Sequence, residues 1–217
     1  MSNRGLLRLA IVCMVVTLAG AAQLWSARAI ALPELGTIPA FALTDEHGAE
    51  LSRAALLGKI TVVDFVFTSC SSACPLLSAE LARLQVDVKR RGLAERVRLL
   101  SISVDPERDT TPRLLELATR YGADPAMWHF VRGDEQSLRR VVVDGMKQIM
   151  DRAADPSEKD GFTLLHGTRF VLVDEHARIR GFYDANDAPE MLRLREELTA
   201  LANGRVRVAE RMPDPTP

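Results

Sequence analysis

The stretch from Val62 to Gln85, VVDFVFTSCSSACPLLSAELARLQ, limits what this chain can fold into more than any other. Val62, Val63, Phe65, Val66 and Phe67 form a nearly continuous β-branched and aromatic run, the pattern of a strand covered on both faces. Two cysteines four apart, Cys70 and Cys74, follow Thr68 and Ser69. Pro75 suits the first turn of a helix, and Leu77, Leu81, Leu84 and Val88 then recur at helical spacing. The reading is strand, cysteine loop, helix. Thiols at a helix N-terminus meet unpaired backbone N–H groups and the positive end of the macrodipole, which favour thiolate over thiol. Thiolate serves equally as a nucleophile and as a metal ligand, so this stretch alone leaves both chemistries open.

The rest of the chain supplies partners for that unit. Phe41 to Leu43, the turn-like Asp45-Glu46-His47-Gly48, and Glu50-Leu51 predict a small leading hairpin. Val97 to Val104 reads as a second buried strand, ending in Asp105-Pro106-Glu107-Arg108-Asp109-Thr110-Thr111-Pro112. Asp109, Thr110 or Thr111 can cap the helix that follows, to about Tyr121, with Pro112 in its first turn. Strand, helix, strand implies a parallel crossover. Trp128 to Val131 is expected as an edge strand, and Asp134 as the cap of a short helix through Val143. Gly145 to Gly161 mixes Met146, Met150, Pro156 and charges without a period, so it reads as an insertion or mobile loop. Phe162 to His166 and Thr168 to Val173, the turn at Asp174-Glu175-His176, and Ile179 to Tyr183 predict an antiparallel hairpin. Met191, Leu194, Leu198 and Leu201 line one face of a closing helix that Gly204 ends.

Ahead of this domain, Arg4 and Arg8 precede an apolar run from Leu9 to Trp25. That is either an uncleaved anchor, the preferred reading, or a cleaved export signal near Ala27 and Ala29. Either way the domain is exported and the arginines stay in the cytoplasm. Cys13, inside the run, reads as a small buried hydrophobe rather than a lipidation site, because bulky Val12 precedes it. The boundaries follow as 1–30 anchor or signal, 31–37 tether, 38–204 globular domain and 205–217 disordered tail. With 28 Lys+Arg against 29 Asp+Glu and no basic run, no nucleic-acid surface is expected.

Strand, cysteine loop, helix, parallel strand, helix, hairpin and helix is the order of a thioredoxin-like α/β fold, with a central mixed sheet flanked by helices, an N-terminal hairpin and one insertion. FTSCSSACP at 67–75, SISVDPERDT at 101–110 and the His166 of LLHGTRFVLVDEHARIRGFY resemble the SCO/SenC family. Its members are membrane-anchored copper-binding proteins that assist assembly of the dinuclear copper centre of cytochrome c oxidase. The resemblance implies Cys70, Cys74 and His166 as metal ligands and Asp105 as a carboxylate just outside them. Two thiolates and one imidazole form a soft three-ligand set suited to Cu(I), or to Cu(II) with one added group. Zinc in a structural site usually takes a fourth protein ligand.

The resemblance further implies a metallochaperone, a binding and transfer protein rather than a turnover enzyme. It would act from the bacterial cytoplasmic membrane with its domain facing the periplasm. Its expected partner is the oxidase subunit carrying the dinuclear copper centre, with another periplasmic copper carrier or a thiol reductase as further partners. The alternative is a redox-active thiol-disulfide reductase working through a Cys70–Cys74 disulfide on the oxidase's copper-ligand cysteines. A peroxidase of the same fold ranks below both, since Thr68 stands two before Cys70 but no supporting proline lies upstream. Without the resemblance, Asp105 is a turn-forming residue before proline, and a lone His166 in an apolar stretch is a core residue. Asp109 reads as a helix cap, His47 and His176 as solvated turn residues and His129 as structural. Met146 and Met150 read as packing residues, with a labile fourth copper ligand as their other reading.

Overall fold

The computed structural model describes residues 29–69, 73–148, 150–154, 162–166 and 168–208, together with 11, 13, 14 and 17; side chains at 73, 74, 151–154 and 162–166 fall outside that description. The strands are β1 (Ile30–Leu32), β2 (Gly36–Thr37), β3 (Ala42–Asp45), β4 (Glu50–Ser52), β5 (Ile60–Val66), β6 (Val97–Ser103), β7 (Trp128–Arg132), β8 (Met150–Ala154), β9 (Phe162–His166), β10 (Arg169–Val173), β11 (Arg178–Asp184) and β12 (Val206–Val208). The helices are α1 (Ala73–Arg90), α2 (Thr111–Arg120), α3 (Glu135–Arg139) and α4 (Ala188–Ala202).

Every residue of β5 is buried, as its unbroken apolar run predicts. It lies fourth in the eight-stranded order β2-β11-β10-β5-β6-β7-β3-β4. β5, β6 and β7 run parallel, and β10 and β3 join their two sides antiparallel. The mixed sheet with its leading β3–β4 hairpin is the architecture the sequence predicts. On α1, Leu77, Leu81, Leu84 and Val88 are all buried, so the expected stripe is the face that meets the sheet. α1 stops at Gly92, whose φ of 68° lets Gly92 and Leu93 N–H return to Lys89 and Val88 carbonyls. Gln85 locks the helix sideways: its Nε2 donates to Gly122 O (2.9 Å), and its Oε1 accepts from Asp124 N (2.8 Å).

α4 buries Met191, Leu194, Leu198 and Leu201, and Gly204 at φ 66° ends its turn, both as the spacing predicts. Arg195 ties it to α1 through Glu80 (2.9 Å) and Asp87 (3.6 Å), so the two helices share one face of the sheet. Asp187 caps α4 by accepting from Glu190 N (3.1 Å). Replacing Asp187 with alanine is expected to remove about 1 kcal/mol of stability, read as a lower urea midpoint at unchanged m-value.

Several expectations are corrected. Trp128–Arg132 is not an edge strand: β3 covers its free side, and Trp128 is fully buried, with Nε1 donating to Ser101 Oγ (2.9 Å) and its ring stacked on Phe130. A large aromatic with a buried polar atom needs neighbours on both sides, which an edge does not supply. The helix capped by Asp134 runs on past α3 as a wider turn over Arg140–Gly145. The segment from 145 is not simply a loop. Met146 and Gln148 are buried, and β8 pairs antiparallel with β9 over Met150↔His166 to Ala154↔Phe162. Phe162–His166 therefore belongs to a separate two-stranded arm, and the hairpin of the main sheet is β10–β11 alone.

Residues 31–37 are not a free tether. β1 pairs in parallel with β12, β2 pairs with β11, and Leu32 is buried. Val206–Val208 opens the expected tail as that strand partner, while 209–217 lies outside the described residues. Cys13, Ile11, Met14 and Thr17 make no contact with the domain core and are exposed on the chain taken alone. Most of the apolar run at 9–25 lies outside the described residues; among those described, no helix is long and apolar enough to cross a membrane.

Candidate functional site

β5 delivers its chain to the carboxyl edge of the parallel strands, where Phe67, Thr68 and Ser69 begin the cysteine loop. Cys70 lies outside the described residues. Cys74 is described in its backbone as the second residue of α1, with Pro75 after it still in the first turn. That position is where free N–H groups and the macrodipole stabilise a thiolate, as the sequence predicts. His166 is likewise described in its backbone, as the last residue of β9, directly across from Met150. Antiparallel pairing of Val171 with Val63 means that the chain before β10 heads toward the end of β5 that carries the cysteine loop. The backbone ahead of β10 therefore runs toward the edge of the sheet where the cysteine loop begins.

Two carboxylates organise the loop after β6: Asp105 forms a turn, as its place before Pro106 predicts, whereas Asp109 departs from its expected role. Asp105 is fully buried, its Oδ1 accepting from Arg108 N (3.3 Å) and its Oδ2 from Arg108 Nε (2.6 Å). It holds its own turn and an arginine together. Asp109 is not a helix cap. Thr110 occupies the cap position of α2 without a side-chain bond, and Pro112 is the second helical residue. The Asp109 carboxylate instead reaches back to the cysteine loop. It accepts from Thr68 N (3.0 Å), Thr68 Oγ1 (2.5 Å) and, on its other oxygen, Ser103 Oγ (2.6 Å). Thr68 thus tethers the residues just ahead of Cys70 to β6. Burial, with a smaller push from neighbouring Asp105, raises the Asp109 carboxyl above the usual carboxylate range despite the lowering effect of these hydrogen bonds.

Arg132 of β7 closes the frame, with Nε donating to Asp109 O (2.6 Å) and Nη2 to Pro106 O (3.2 Å). Beside the loop, Thr68, Ser69, Arg113, Glu116, Leu117 and Arg120 line an open cleft of about 250 Å³. Its charged rim suits a polar partner surface.

Met146 and Met150 do not share a helix face. Met146 follows the wide turn, Met150 begins β8, and both are buried among core residues, which is the packing reading. His47 and His176 are exposed in turns as expected. His129 has more than a structural place: its Nδ1 is 3.7 Å from buried Glu46. Nothing in the periodicity of Trp128-His129-Phe130 marks that pairing, because Glu46 is 83 positions earlier in the chain.

A family model described as SCO1/SenC matches residues 32–201. The SCO1 protein homolog of Bacillus subtilis (strain 168) is 29% identical over 145 residues, 66% of this chain and 72% of that protein. Among solved structures, a SCO1/SenC family lipoprotein from Bacillus anthracis str. Ames superposes with a TM-score of 0.70 at 25% identity, covering 80% of this chain and 99% of that one. Bradyrhizobium japonicum ScoI with copper bound gives a TM-score of 0.61 at 25% identity, covering 76% and 99% of the two chains.

Proposed function

The chain belongs to the SCO1/SenC family, and from that premise we propose that it is a copper metallochaperone whose ligands are Cys70, Cys74 and His166. The observation that carries this reading is the opening of α1: Cys74 sits in the first turn of a helix fed directly by the fully buried strand β5. A thiolate there is stabilised without any neighbouring cation, and a second one four positions earlier suits a soft metal. Copper bound in the related Bradyrhizobium structure supports the choice of metal. An imidazole brought in from the segment ahead of β10 completes a three-ligand set with an open side, through which the metal can be handed on.

The recipient is the cytochrome c oxidase subunit that carries the dinuclear copper centre, a role supported by the family resemblance. The Arg-flanked apolar run at 9–25 anchors the chain in the cytoplasmic membrane and leaves the domain in the periplasm. Asp105, whose carboxylate holds Arg108 in the loop after β6, tunes the site from outside the ligand set or meets the partner.

The test is to load the reduced, full-length chain with Cu(II) and record absorption and electron paramagnetic resonance spectra, beside His166→Ala. One copper per chain is expected, with a thiolate-to-copper charge-transfer band that His166→Ala abolishes or shifts strongly. Binding that ignores the substitution would remove His166 from the site. Absence of stoichiometric copper would move the function to dithiol–disulfide exchange through Cys70 and Cys74.

A further inference from the structure

The turn of the β3–β4 hairpin brings a second set of metal-binding groups against β7. Glu46 is 2% exposed, and its Oε2 accepts from Phe130 N (2.8 Å) of β7, which fixes the side chain in place. Its other oxygen, Oε1, faces two imidazoles: His129 Nδ1 at 3.7 Å and His47 Nε2 at 3.6 Å. Asp45 lies beside it, its Oδ1 accepting from His47 N (2.9 Å) and Ala49 N (2.8 Å) and so shaping the turn. One ligand atom from each of Asp45, Glu46 and His129 lies within 4.8 Å of the other two.

Three features favour a cation here over a simple hydrogen-bonded cluster. First, Nδ1 of His129 is shut away from solvent and has no hydrogen-bond partner, which a buried polar atom rarely tolerates. Second, both imidazole-to-Oε1 separations exceed hydrogen-bond length. They come close to the spacing of two ligand atoms on one tetrahedral ion, about 3.4 Å for metal–ligand bonds near 2.1 Å. Third, among the described residues no Lys or Arg pairs with Glu46 or Asp45, so two acidic side chains stand together with only histidine near them.

We propose that Glu46, His129 and His47, with Asp45 beside them, form a second metal site for a divalent cation of borderline softness such as Zn²⁺. Imidazole and carboxylate without thiolate is a donor set for such ions and a poor one for Cu(I), so this site and the cysteine site select different metals. It crosslinks the leading hairpin to β7, which β3 otherwise holds through only two paired positions, Thr44↔Arg132 and Asp45↔Val131. Binding would therefore stabilise this side of the sheet.

The experiment uses the full-length chain carrying Cys13→Ser, Cys70→Ser and Cys74→Ser, stripped with a chelator, so that thiolates contribute nothing. It is titrated with Zn²⁺ against a chromophoric competitor and, in parallel, with Co²⁺. One Zn²⁺ per chain, a raised Tm, and Co²⁺ d–d bands without thiolate charge transfer are the expected results. His47 is 51% exposed in a turn, so His47→Ala leaves the fold intact while weakening binding by more than about tenfold. His129→Asn removes saturable binding, with circular dichroism confirming the fold. A thiol-free chain that takes up no stoichiometric Zn²⁺, or binding indifferent to both histidine substitutions, overturns the proposal. Neither result bears on copper at Cys70, Cys74 and His166.

Discussion

An Asp109→Ala chain is expected to lose about 3 kcal/mol of stability and to bind copper more weakly, whereas Asp109→Asn keeps most of both. Alanine strands Thr68 N–H, Thr68 O–H and Ser103 O–H, all of which donate to the carboxylate in the native chain. Ser103 is buried and Thr68 half-buried, so donors left without an acceptor carry much of their desolvation penalty, and Thr68 is two residues from Cys70. Asparagine has nearly the same shape. Its Oδ1 can take both Thr68 donors while its amide donates to Ser103 Oγ. The pH dependence distinguishes a positioning role from a merely structural one.

Because the Asp109 carboxyl is raised in the folded chain, its favourable contribution is complete below the unfolded value, about 3.9. It fades as pH rises through the higher folded value. The Asn variant has no such titration, so its stability relative to wild type should improve from pH 3 to pH 7. Denaturant unfolding at several pH values, with copper titration at pH 7, checks both parts. Equal loss in the alanine and asparagine variants, with no pH trend, would sink the assignment.

How much of this chain is legible in its sequence depends on range. The β5–α1 unit, the α4 stripe and the β10–β11 hairpin are local patterns of period 2 or 3.6, and each stands where the spacing puts it. The SCO/SenC motifs likewise point to the family that the comparisons show. What escapes the sequence is long-range. Trp128–Arg132 reads as an edge because nothing local says that β3 will close over it. The 145–161 segment reads as irregular because β8 is short and its partner begins only after a connection. Residues 31–37 read as a tether because the partners of β1 and β2, which are β12 and β11, lie more than a hundred residues downstream. Asp109 is the most instructive case. A carboxylate just before a helix is read as its cap by local rules. Its actual bond to Thr68 crosses 41 positions, and the only local hint is that Ser103 stands six residues earlier at the end of the buried strand β6.

The hairpin that follows the His166 segment holds the other large effect. Asp174→Ala is expected to cost about 4 kcal/mol, while Arg180→Met costs within about 1 kcal/mol. Arg180 is 2% exposed, a guanidinium inside the sheet whose Nη2 donates to Leu32 O (3.0 Å) and whose Nη1 lies 3.6 Å from Asp174 Oδ2. Its Nε and Nη1 make no hydrogen bond, so desolvation is only partly offset. Asp174 does much more. Its Oδ1 accepts from His176 N and Arg178 N, shaping the turn, and its Oδ2 accepts from Arg178 Nε (2.9 Å). Removing the carboxylate opens that turn and leaves Arg180 charged, buried and without a counter-ion. Removing the arginine replaces a poorly satisfied charge with an apolar chain of similar length, at the loss of one bond to β1.

The asymmetry should appear in a double-mutant cycle by urea unfolding. Arg180→Met placed on Asp174→Ala should recover about 2 kcal/mol, because the orphaned charge is gone while the turn remains unshaped. Asp174→Asn separates the two effects further, since its amide oxygen can still accept from the turn N–H groups but carries no charge for Arg180. Should Arg180→Met cost as much as Asp174→Ala, the pair would be a net source of stability, its mutual attraction outweighing the desolvation of the buried guanidinium.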